Sequence, residues 1–384
     1  MGSVQVNGRV EAGFERVAEE FARLLEAGNA DGQFCAYHNG VKVADLWGGE
    51  DVTADSLQGV FSSTKGASAV CIAMLVERGV LDLDSPVSRY WPEFAAGGKE
   101  AVTLRIALSH QAGLIGFEPQ LSVAEIMDHE TVAARLAAQV PHWYPGKAHG
   151  YHGLMIGTIM DELVRRTMGV PIADFFRKEI GQPREIDFFI RTPDDQEHRV
   201  ALVIPARRPA GEADPEAARR IPDSLSGMAF NAAVISRDVV RANLREYRAS
   251  GQAASAGVGS ARGLARLYAM CVGEVDGMPR LLSPETVTKV SQIQVTGEDL
   301  VLRVPTRYGI VFQKADDRLW YGSHQAFGHD GAGGSIGIAD PWHNLAYAWI
   351  PRHMSVPGGA DVKGLGLAKV LRGCADPVAG AAVG

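Results

Sequence analysis

Strand-like segments lie at both ends of this chain, while helical periodicity fills the region between them. Near the N-terminus, residues 33–40 and 41–49 have the character of two short strands, and Asn39-Gly40 between them is a strong hairpin-turn signal. Strand patterns return after residue 300. We therefore expect one antiparallel sheet built from both chain ends, with the central helices inserted as a second lobe. The predicted fold class is α+β, an α/β sandwich plus an all-helical lobe.

The predicted division places residues 1–70 and 260–384 in the α/β domain and residues 71–259 in a mainly helical inserted domain. Residues 205–225, rich in Pro, Ala and Arg, are expected to form a long surface loop. Clefts between two such lobes are common ligand sites. The elements behind this division are helices near 10–28, 62–79, 103–108, 123–127, 131–139, 154–169, 260–273 and 364–372, and strands near 57–61, 300–304, 308–312, 335–338 and 345–350.

Net charge, apolar segments and cysteine spacing argue against several classes of partner and site. The 384 residues carry a formal net charge of −7, and because no basic tract offsets it, we expect no nucleic-acid partner. No run approaches the roughly 18 apolar residues of a membrane span, and no secretory apolar segment follows the first residues, so we expect a cytoplasmic protein without a membrane partner. We expect no cofactor. Four cysteines lack paired spacing, which disfavours a disulfide framework or a zinc site; they are Cys35, Cys71, Cys271 and Cys374.

Ser62-Ser-Thr-Lys65 is the first candidate for chemistry. Residues three apart near a helix N-terminus share a face, so the amine nitrogen of Lys65 can reach the hydroxyl of Ser62. The helix dipole and the free backbone N–H groups favour negative charge that develops on this serine. A lysine that acts as a base must be neutral, which requires burial or a cationic neighbour. Because the tetrad follows a strand-like run and opens a markedly apolar helix, it fits a nucleophile better than a surface helix cap.

Two later elements can complete such a site. Tyr151 stands on a loop just before a predicted helix, where its phenol can face a serine on another element. His329-Asp330-Gly331 is followed by Ala332 and more glycines. A glycine-rich strand lets substrate and backbone approach closely, and its N–H groups can form an oxyanion hole.

Together these motifs resemble those of class C β-lactamases and penicillin-binding proteins, and more closely those of the family VIII carboxylesterases built on that fold. The resemblance rests on seven stretches in order, FSSTKGASAV, GVLDLDSPVSRYWPEF, TLRIALSHQAGL, YPGKAHGYHGLMIG, GVGSARGLARLY, LLSPETV and FGHDGAGGSIGIADP. It extends over residues 30–355. It implies a β-lactamase/transpeptidase-like fold, in which both chain ends form the sheet, and acyl-enzyme chemistry on serine without a cofactor.

The resemblance also implies a role for each motif. Ser62 would be the acylated nucleophile, while Lys65 and Tyr151 would share its proton and pass one to the leaving group. The backbone N–H groups of Ser62 and Ala332 would hold the oxyanion. Further contacts to the substrate are expected from His329, Gly331, His152 and Trp143.

Two departures from the β-lactamase pattern bear on the substrate. Residues 151–153 read Tyr-His-Gly where β-lactamases have Tyr-x-Asn, and residues 329–331 read His-Asp-Gly where they have Lys-Thr-Gly. The missing Asn would bond the side-chain amide of a β-lactam, and the missing Lys would attract its carboxylate. We therefore expect a serine carboxylesterase that acts on a small-molecule ester, with His329 shaping the site.

Other interpretations of single motifs are weaker. Residues 333–337 match the Gly-x-Ser-x-Gly lipase elbow at Ser335, but strand and turn signals follow this serine instead of a helix. His149-x-x-His152 could suggest a metal, yet it lacks a third ligand at useful spacing. Structural or substrate-facing histidines are therefore preferred. Residues 331–336 miss a dinucleotide fingerprint because Ile stands in place of the third Gly.

Alternative functions stay open at the level of sequence. The same nucleophile could pass its acyl group to an amine or alcohol in secondary metabolism, as transacylases on this fold do, or it could support weak β-lactamase or peptidase activity. A non-catalytic scaffold is a further alternative, which the intact set of Ser62, Lys65 and Tyr151 opposes. The natural substrate and the oligomeric state are left open.

Overall fold

The structure is a computed structural model. It describes residues 6–28, 31–205, 221, 224–231, 240–356 and 358–376. Most of the loop predicted at 205–225 lies outside the described residues. Among the helices that are described, none is both long and apolar enough to cross a bilayer.

The described residues contain two antiparallel sheets, one large and one small. The small sheet pairs short segments at the edge of the helical region, and the large sheet holds strands from both chain ends. The strands are β1 (Asn7–Val10), β2 (Gly32–His38), β3 (Val41–Gly48), β4 (Gln58–Gly59), β5 (Phe188–Phe189), β6 (Val258–Gly259), β7 (Val295–Glu298), β8 (Pro305–Tyr308), β9 (Gln313–Lys314), β10 (Phe327–Asp330), β11 (Ile336–Asp340) and β12 (Leu345–Pro351).

The large sheet has nine described strands in the order β1-β3-β2-β12-β11-β10-β9-β8-β7, and the small sheet has the order β4-β6-β5. The last strand of the chain thus lies beside the second strand. Across that junction Trp349 pairs with Phe34, and Ala346 pairs with Tyr37. The prediction of one antiparallel sheet made from both chain ends is confirmed.

Helices fill the middle of the chain and cover the sheet. The helix predicted at 123–127 has the bounds that the sequence indicates, because Ser122 and Glu125 form a reciprocal capping box at its start. The helices are α1 (Glu15–Glu26), α2 (Thr64–Glu77), α3 (Leu104–Leu108), α4 (Val123–Met127), α5 (His129–Ala138), α6 (Met155–Met168), α7 (Ile172–Phe176), α8 (Leu225–Phe230), α9 (Arg245–Ser250), α10 (Ala261–Val272), α11 (Pro284–Ser291) and α12 (Val362–Ala375).

Both faces of the large sheet carry helices. On one face α1 packs beside α12, and Phe21 meets Trp349 edge to face with ring centres 6.0 Å apart. On the other face α10 packs against β2, β11 and β12. Since side chains alternate along a strand, Phe34 joins the first core and Cys35 joins the second. The α/β sandwich with an additional helical region is confirmed.

Helix α2 is the most deeply placed helix of the site region. Every residue from Thr64 to Val76 is buried. A helix that is apolar on all sides belongs in the interior of a protein, and this one carries Lys65 inward with its first turn. The tetrad that opens α2 is therefore no surface cap.

The strand predicted at 300–304 is wrong, because these residues form turns. The Oδ1 atom of Asp299 accepts hydrogen bonds from the backbone N–H groups of Val301 at 2.9 Å and Leu302 at 2.8 Å. Side-chain acceptors compete with ladder pairing, so this carboxylate removes two donors that a strand would need.

The strand predicted at 308–312 is also wrong beyond its first residue, since β8 ends at Tyr308. Val311 has a φ of 65°, in the left-handed region that an L residue enters only with strain. Its backbone N–H donates to the carbonyl of Leu108 at 2.6 Å, outside the sheet. The chain turns here to contact helix α3.

Candidate active site

Ser62 lies at the junction between β4 and α2, where the sequence predicts a strand-to-helix turn. Phe61 before it has a φ of 49°, which is rare for a large L residue and redirects the chain sharply. The hydroxyl of Thr64 donates to the Phe61 carbonyl at 2.5 Å and accepts from the backbone N–H of Gly257 at 2.9 Å. These bonds fix the strained turn that presents Ser62.

Lys65 is completely buried, and its Nζ has three partners. It lies 3.0 Å from the hydroxyl oxygen of Ser62. It also donates to the backbone carbonyls of Gly153 at 2.7 Å and Ala254 at 3.1 Å. Two of the partners can only accept a hydrogen bond, whereas the Ser62 hydroxyl can also donate one.

The surroundings of Lys65 favour its neutral form. Burial lowers the pKa of Lys65 well below its ordinary value, the positive charge of Arg241 lowers it further, and the negative charge of Asp330 opposes both. A buried amine with a depressed pKa can accept a proton from a neighbouring hydroxyl. The pair of Ser62 and Lys65 thus has the contacts of a nucleophile and its base.

Tyr151 lies on the loop before α6, and only 4% of it is exposed. The Nζ of Lys65 lies 4.9 Å from the centre of its ring. Burial raises the pKa of Tyr151 above its ordinary value, and a side-chain hydrogen bond with Ser62 opposes the increase. The structure brings Ser62, Lys65 and Tyr151 together, and Tyr151 is a neutral phenol in this setting.

The end of β10 forms a tight turn beside the segment that leads to Ser62. The backbone N–H of Gly334 donates to the carbonyl of Gly331 at 2.8 Å, which leaves Ala332 exposed at the tip. A Cβ at Gly331 would lie 2.2 Å from the carbonyl oxygen of Val60. A glycine is therefore required for this close approach between the turn and the segment that leads to Ser62.

Ser335 ties this turn to the nucleophile segment. Its hydroxyl donates to the carbonyl of Val60 at 2.7 Å and lies 2.9 Å from the hydroxyl of Ser63, which in turn donates to the carbonyl of His329 at 3.2 Å. Strand β11, and no helix, follows Ser335. The structure therefore gives Ser335 no lipase elbow.

His329 is completely buried, and its ring centre is 6.0 Å from that of Tyr151. Its Nδ1 donates to the backbone carbonyl of Asp330 at 2.7 Å, while its Nε2 has no hydrogen-bond partner. Burial lowers the pKa of His329 to about 4, and the charge of Lys65 acts in the same direction. A neutral imidazole whose Nε2 has no partner therefore lies beside Tyr151, and its contact with substrate stays a prediction.

His152 is also buried, and both of its ring nitrogens have backbone partners. Nδ1 donates to the carbonyl of Gly150 at 2.7 Å, and Nε2 accepts from the backbone N–H of Leu114 at 3.1 Å. Burial lowers the pKa of His152 to about 4. This geometry favours a structural histidine over a substrate-facing one. His149 bonds to the hydroxyl of Thr306, and no described group of side chains could hold a metal ion.

Trp143 is half-buried beside the Tyr151 loop. Its indole N–H donates to the carbonyl of Gln111 at 3.2 Å, and its ring meets that of His152 edge to face at 6.0 Å. It belongs to a small apolar cluster that contains Tyr151. Its position fits the predicted lining of a substrate cleft, which stays a prediction.

Sequence reasoning missed two buried residues behind Tyr151. His110 accepts the backbone N–H of His152 at its Nδ1, 3.0 Å away, and its ring packs 5.2 Å from that of Tyr151. Asp299 accepts the backbone N–H of Tyr151 at 3.0 Å. Gly297-Glu298-Asp299 stands just before an apolar run. An Asp in such a place often bonds to the backbone of the turn that follows, and this signal could have indicated Asp299.

Known proteins match this chain over most of its length. A protein-family model described as Beta-lactamase matches residues 17–365. The esterase/beta-lactamase LipL of Mycobacterium tuberculosis is 34% identical over 373 residues, which cover 92% of this chain and 84% of LipL.

Solved structures show the same architecture. EstA from Arthrobacter nitroguajacolicus has a TM-score of 0.90 at 40% identity, covering 98% of this chain and 100% of that one. A family VIII carboxylesterase has a TM-score of 0.87 at 30% identity, covering 96% and 100%. A penicillin-binding protein homolog from Caulobacter crescentus has a TM-score of 0.85 at 31% identity, with the same coverage of 96% and 100%.

Proposed function

This chain belongs to the beta-lactamase family and is a serine hydrolase of carboxylic esters, and we propose that it acts through an acyl-enzyme on Ser62. The contact set of Lys65 carries the proposal. A neutral amine has two N–H groups and one lone pair. These match two backbone carbonyls, of Gly153 and Ala254, and one hydroxyl, of Ser62. The geometry therefore supports a resting state in which the lone pair of Lys65 accepts the Ser62 proton.

Acylation follows from that arrangement. The Ser62 oxygen attacks the ester carbonyl while its proton passes to Lys65 Nζ, which then forms an ammonium with three acceptors around it. The same three contacts serve both protonation states of the lysine. No side chain has to move for the proton transfer, so the step avoids a reorganisation cost.

The remaining groups supply the oxyanion and leaving-group functions in this proposal. The backbone N–H groups of Ser62 and Ala332 stabilise the negative charge on the carbonyl oxygen, since the turn that carries Ala332 is held against the nucleophile segment. Tyr151, a phenol with a raised pKa, gives its proton to the departing alcohol and regains one from Lys65.

Deacylation repeats these steps with water. A water molecule at the position of the departed alcohol gives one proton to Tyr151, which passes its own proton to neutral Lys65, and the water oxygen attacks the acyl carbonyl to release the acid. Ser62 leaves as the hydroxyl after it regains its proton. The cycle needs no group outside the described trio and the backbone.

The groups around the site support an ester substrate over a lactam. At the position of the lactamase Asn, Gly153 has no side chain, and a Cβ there would lie 2.5 Å from the carbonyl of Ala229. At the position of the lactamase Lys, burial keeps His329 neutral, with its pKa lowered to about 4. A neutral imidazole cannot attract a carboxylate as an ammonium does.

We further propose that one part of the ester is apolar. The cluster beside Tyr151 presents half-buried apolar side chains, and the ring of Phe230 lies 6.0 Å from the ring of Tyr151. Such surfaces bind apolar groups by removing them from water. A series of nitrophenyl esters of rising acyl length checks this, with Phe230→Ala and Trp143→Ala expected to raise KM most for the longer members. The half-buried members are Trp143, Leu225, Met228, Phe230, Val295 and Leu302.

The cellular setting belongs to the same proposal. A small-molecule ester is the expected partner, and a cytoplasmic location is supported by four free thiols, which reducing compartments preserve. Cell fractionation with an antibody against the chain tests the location.

Ser62→Ala tests the catalytic assignment. We expect the variant to lose nitrophenyl-ester turnover and the acyl-enzyme mass shift that the wild type shows. Ser68→Ala is the matched control, because Ser68 is a buried serine on α2, the helix that follows Ser62, and its hydroxyl donates to the carbonyl of Ala253 at 2.7 Å. Wild-type turnover in the Ser62 variant would refute the proposal.

A further inference from the structure

We propose that Asp299 is a positioning residue that holds Tyr151 in place for proton transfer. The inference rests on the proposed function, because it assigns a partner to a residue of that site. It concerns a carboxylate that is completely buried and lies behind Tyr151, away from Ser62 in the hydrogen-bond network.

The Asp299 carboxylate is the centre of a dense set of donors. Oδ1 accepts three backbone N–H groups, from Tyr151 at 3.0 Å, Val301 at 2.9 Å and Leu302 at 2.8 Å. Oδ2 lies 3.3 Å from the hydroxyl of Thr306 and 3.3 Å from that of Tyr308. Among the described residues no lysine or arginine pairs with this carboxylate, so hydrogen bonds alone stabilise its buried charge.

The turn at residues 299–302 also bonds to the Tyr151 loop at a second point. The backbone N–H of Leu300 donates to the carbonyl of His149 at 3.0 Å, and the His149 ring bonds to the Thr306 hydroxyl at 2.9 Å. Two bonds to neighbouring residues of one loop fix both its position and its direction. The loop that presents Tyr151 and the Gly153 carbonyl is thus anchored to the β7–β8 hairpin at the edge of the sheet.

Asp299 also holds the aromatic ring that packs behind the phenol ring of Tyr151. The ring of Tyr308, whose hydroxyl reaches Asp299, stacks on that of Tyr151 with centres 6.3 Å apart and an angle of 20° between planes. The backbone and the ring of Tyr151 therefore depend on the same carboxylate. Because a displacement of about 1 Å can cost roughly 100-fold in rate, such anchoring bears directly on proton transfer.

The charge of Asp299 has a second, supporting effect. It adds to burial in raising the pKa of Tyr151, and so favours the neutral phenol that the proposed mechanism starts from. The Asp299 side chain thus favours both the position and the neutral state of Tyr151.

A double-mutant cycle tests the proposal. Asp299→Asn keeps the shape but replaces Oδ2 by an amide and removes the charge, so we expect kcat for a nitrophenyl ester to fall roughly 10-fold with KM nearly unchanged. In a Tyr151→Phe background the same substitution should cause no further loss, because the group that Asp299 positions is already absent. Losses that multiply, or a loss only in KM, would overturn the proposal.

Asp340→Asn is the matched control. Asp340 is a buried carboxylate at the end of the central strand β11, and it accepts from the backbone N–H and hydroxyl of Ser323 at 2.8 and 2.6 Å. It should lose thermal stability as Asp299→Asn does, with kcat within about twofold of wild type. An equal loss of kcat in both variants would show a purely structural role.

Tyr308→Phe covers the case in which Asp299→Asn fails to fold. It removes one donor to Oδ2 and keeps the ring, so kcat should fall by about 2- to 5-fold, and only when Tyr151 is present. An unchanged kcat would contradict the proposal. Ser62→Ala separates this inference from the proposed function, since an inactive Ser62 variant with additive Asp299 and Tyr151 effects would reject the positioning role alone.

Discussion

Two lysines in the described part of the chain are completely buried, and they differ in what surrounds them. Lys65 donates to two carbonyls and contacts the Ser62 hydroxyl, with its Nζ 4.9 Å from the Tyr151 ring centre. Lys99 contacts the carbonyls of Ala96 at 2.5 Å, Ala137 at 3.1 Å and Gln139, with its Nζ 5.3 Å from the ring centre of a phenylalanine.

Only one of three partners differs between Lys65, the proposed base, and Lys99, a structural cation. Burial lowers the pKa of both lysines. All three partners of Lys99 can only accept, so a neutral amine there would leave one carbonyl without a donor. At Lys65 the third partner is a hydroxyl that can donate, so losing the proton leaves no group unsatisfied. Burial alone therefore does not identify a catalytic lysine, whereas the donor capacity of its partners does.

Lys65→Met should produce the largest effect, a fall in kcat of roughly 10³-fold, because it removes the general base. Ester turnover per folded protein measures it. Lys65→Arg is the sharper comparison, since a guanidinium can still donate hydrogen bonds but stays protonated and has no lone pair for the Ser62 proton, so it should be equally inactive. Activity in the Arg variant would break the distinction between the two lysines.

Lys99→Met should have the opposite effect to Lys65→Met, a loss of stability with little change in kcat. Three buried carbonyls lose their donor, so the free energy of unfolding should drop by about 3 kcal/mol while kcat stays within about twofold of wild type. Denaturant unfolding and ester turnover on the same preparation give both values. A large loss of kcat with normal stability would mean that Lys99 has a role in chemistry.

The pH dependence should sharpen the comparison further. Because Lys65 must be neutral to act and burial puts its pKa well below the ordinary value, kcat/KM should fall about 10-fold per pH unit below that lowered pKa and level off above it. This fall of kcat/KM at low pH should be the same in Lys99→Met. If substitutions around Lys65 leave the fall unchanged, the titrating group is not Lys65.

His129 is a partly buried side chain whose positive charge is stabilised by carboxylates. Its Nδ1 lies 2.9 Å from Asp161 and its Nε2 lies 2.7 Å from Glu162. Burial lowers the pKa of His129, but the hydrogen bonds to Asp161 and Glu162 outweigh it and raise that pKa overall.

The stability that His129 contributes is therefore complete below its unfolded pKa of about 6.5 and is lost as pH rises through the folded value. His129→Gln should remove a pH-dependent part of stability on the order of 1 kcal/mol, the smallest effect of the series. Thermal melting at pH 6 and pH 9 measures it. Equal pH dependence in wild type and variant would show that the pair of carboxylates does not hold a cation.

The framework of the fold could be predicted from the sequence because it follows local signals. Two strand-like runs joined by Asn39-Gly40 indicate the first hairpin, and capping residues such as Ser122 mark helix starts. The catalytic trio could also be proposed, because its spacing matches a known family. The division of domains at residues 70 and 260 stays a prediction.

The remainder depends on contacts between residues that are distant in sequence. Asp299 prevents the strand predicted at 300–304 because its side chain accepts two backbone N–H groups there. The spacing of apolar residues in the sequence does not indicate these bonds. The His152 ring is predicted as a substrate contact, yet two backbone groups occupy its nitrogens. Lys99 has no motif at all, since its role appears only when the carbonyls of two separate segments converge on it.

The bond between Ser335 and Val60 joins residues 275 positions apart. During synthesis the helix that bears the nucleophile emerges early, and the turn proposed to stabilise the oxyanion emerges only near the end. A growing chain thus holds its serine and lysine for most of translation without the second half of the catalytic apparatus. On the proposed mechanism, ester hydrolysis requires that β10 and β11 are made and packed against the segment before Ser62, so activity reports that the two parts of the site have come together.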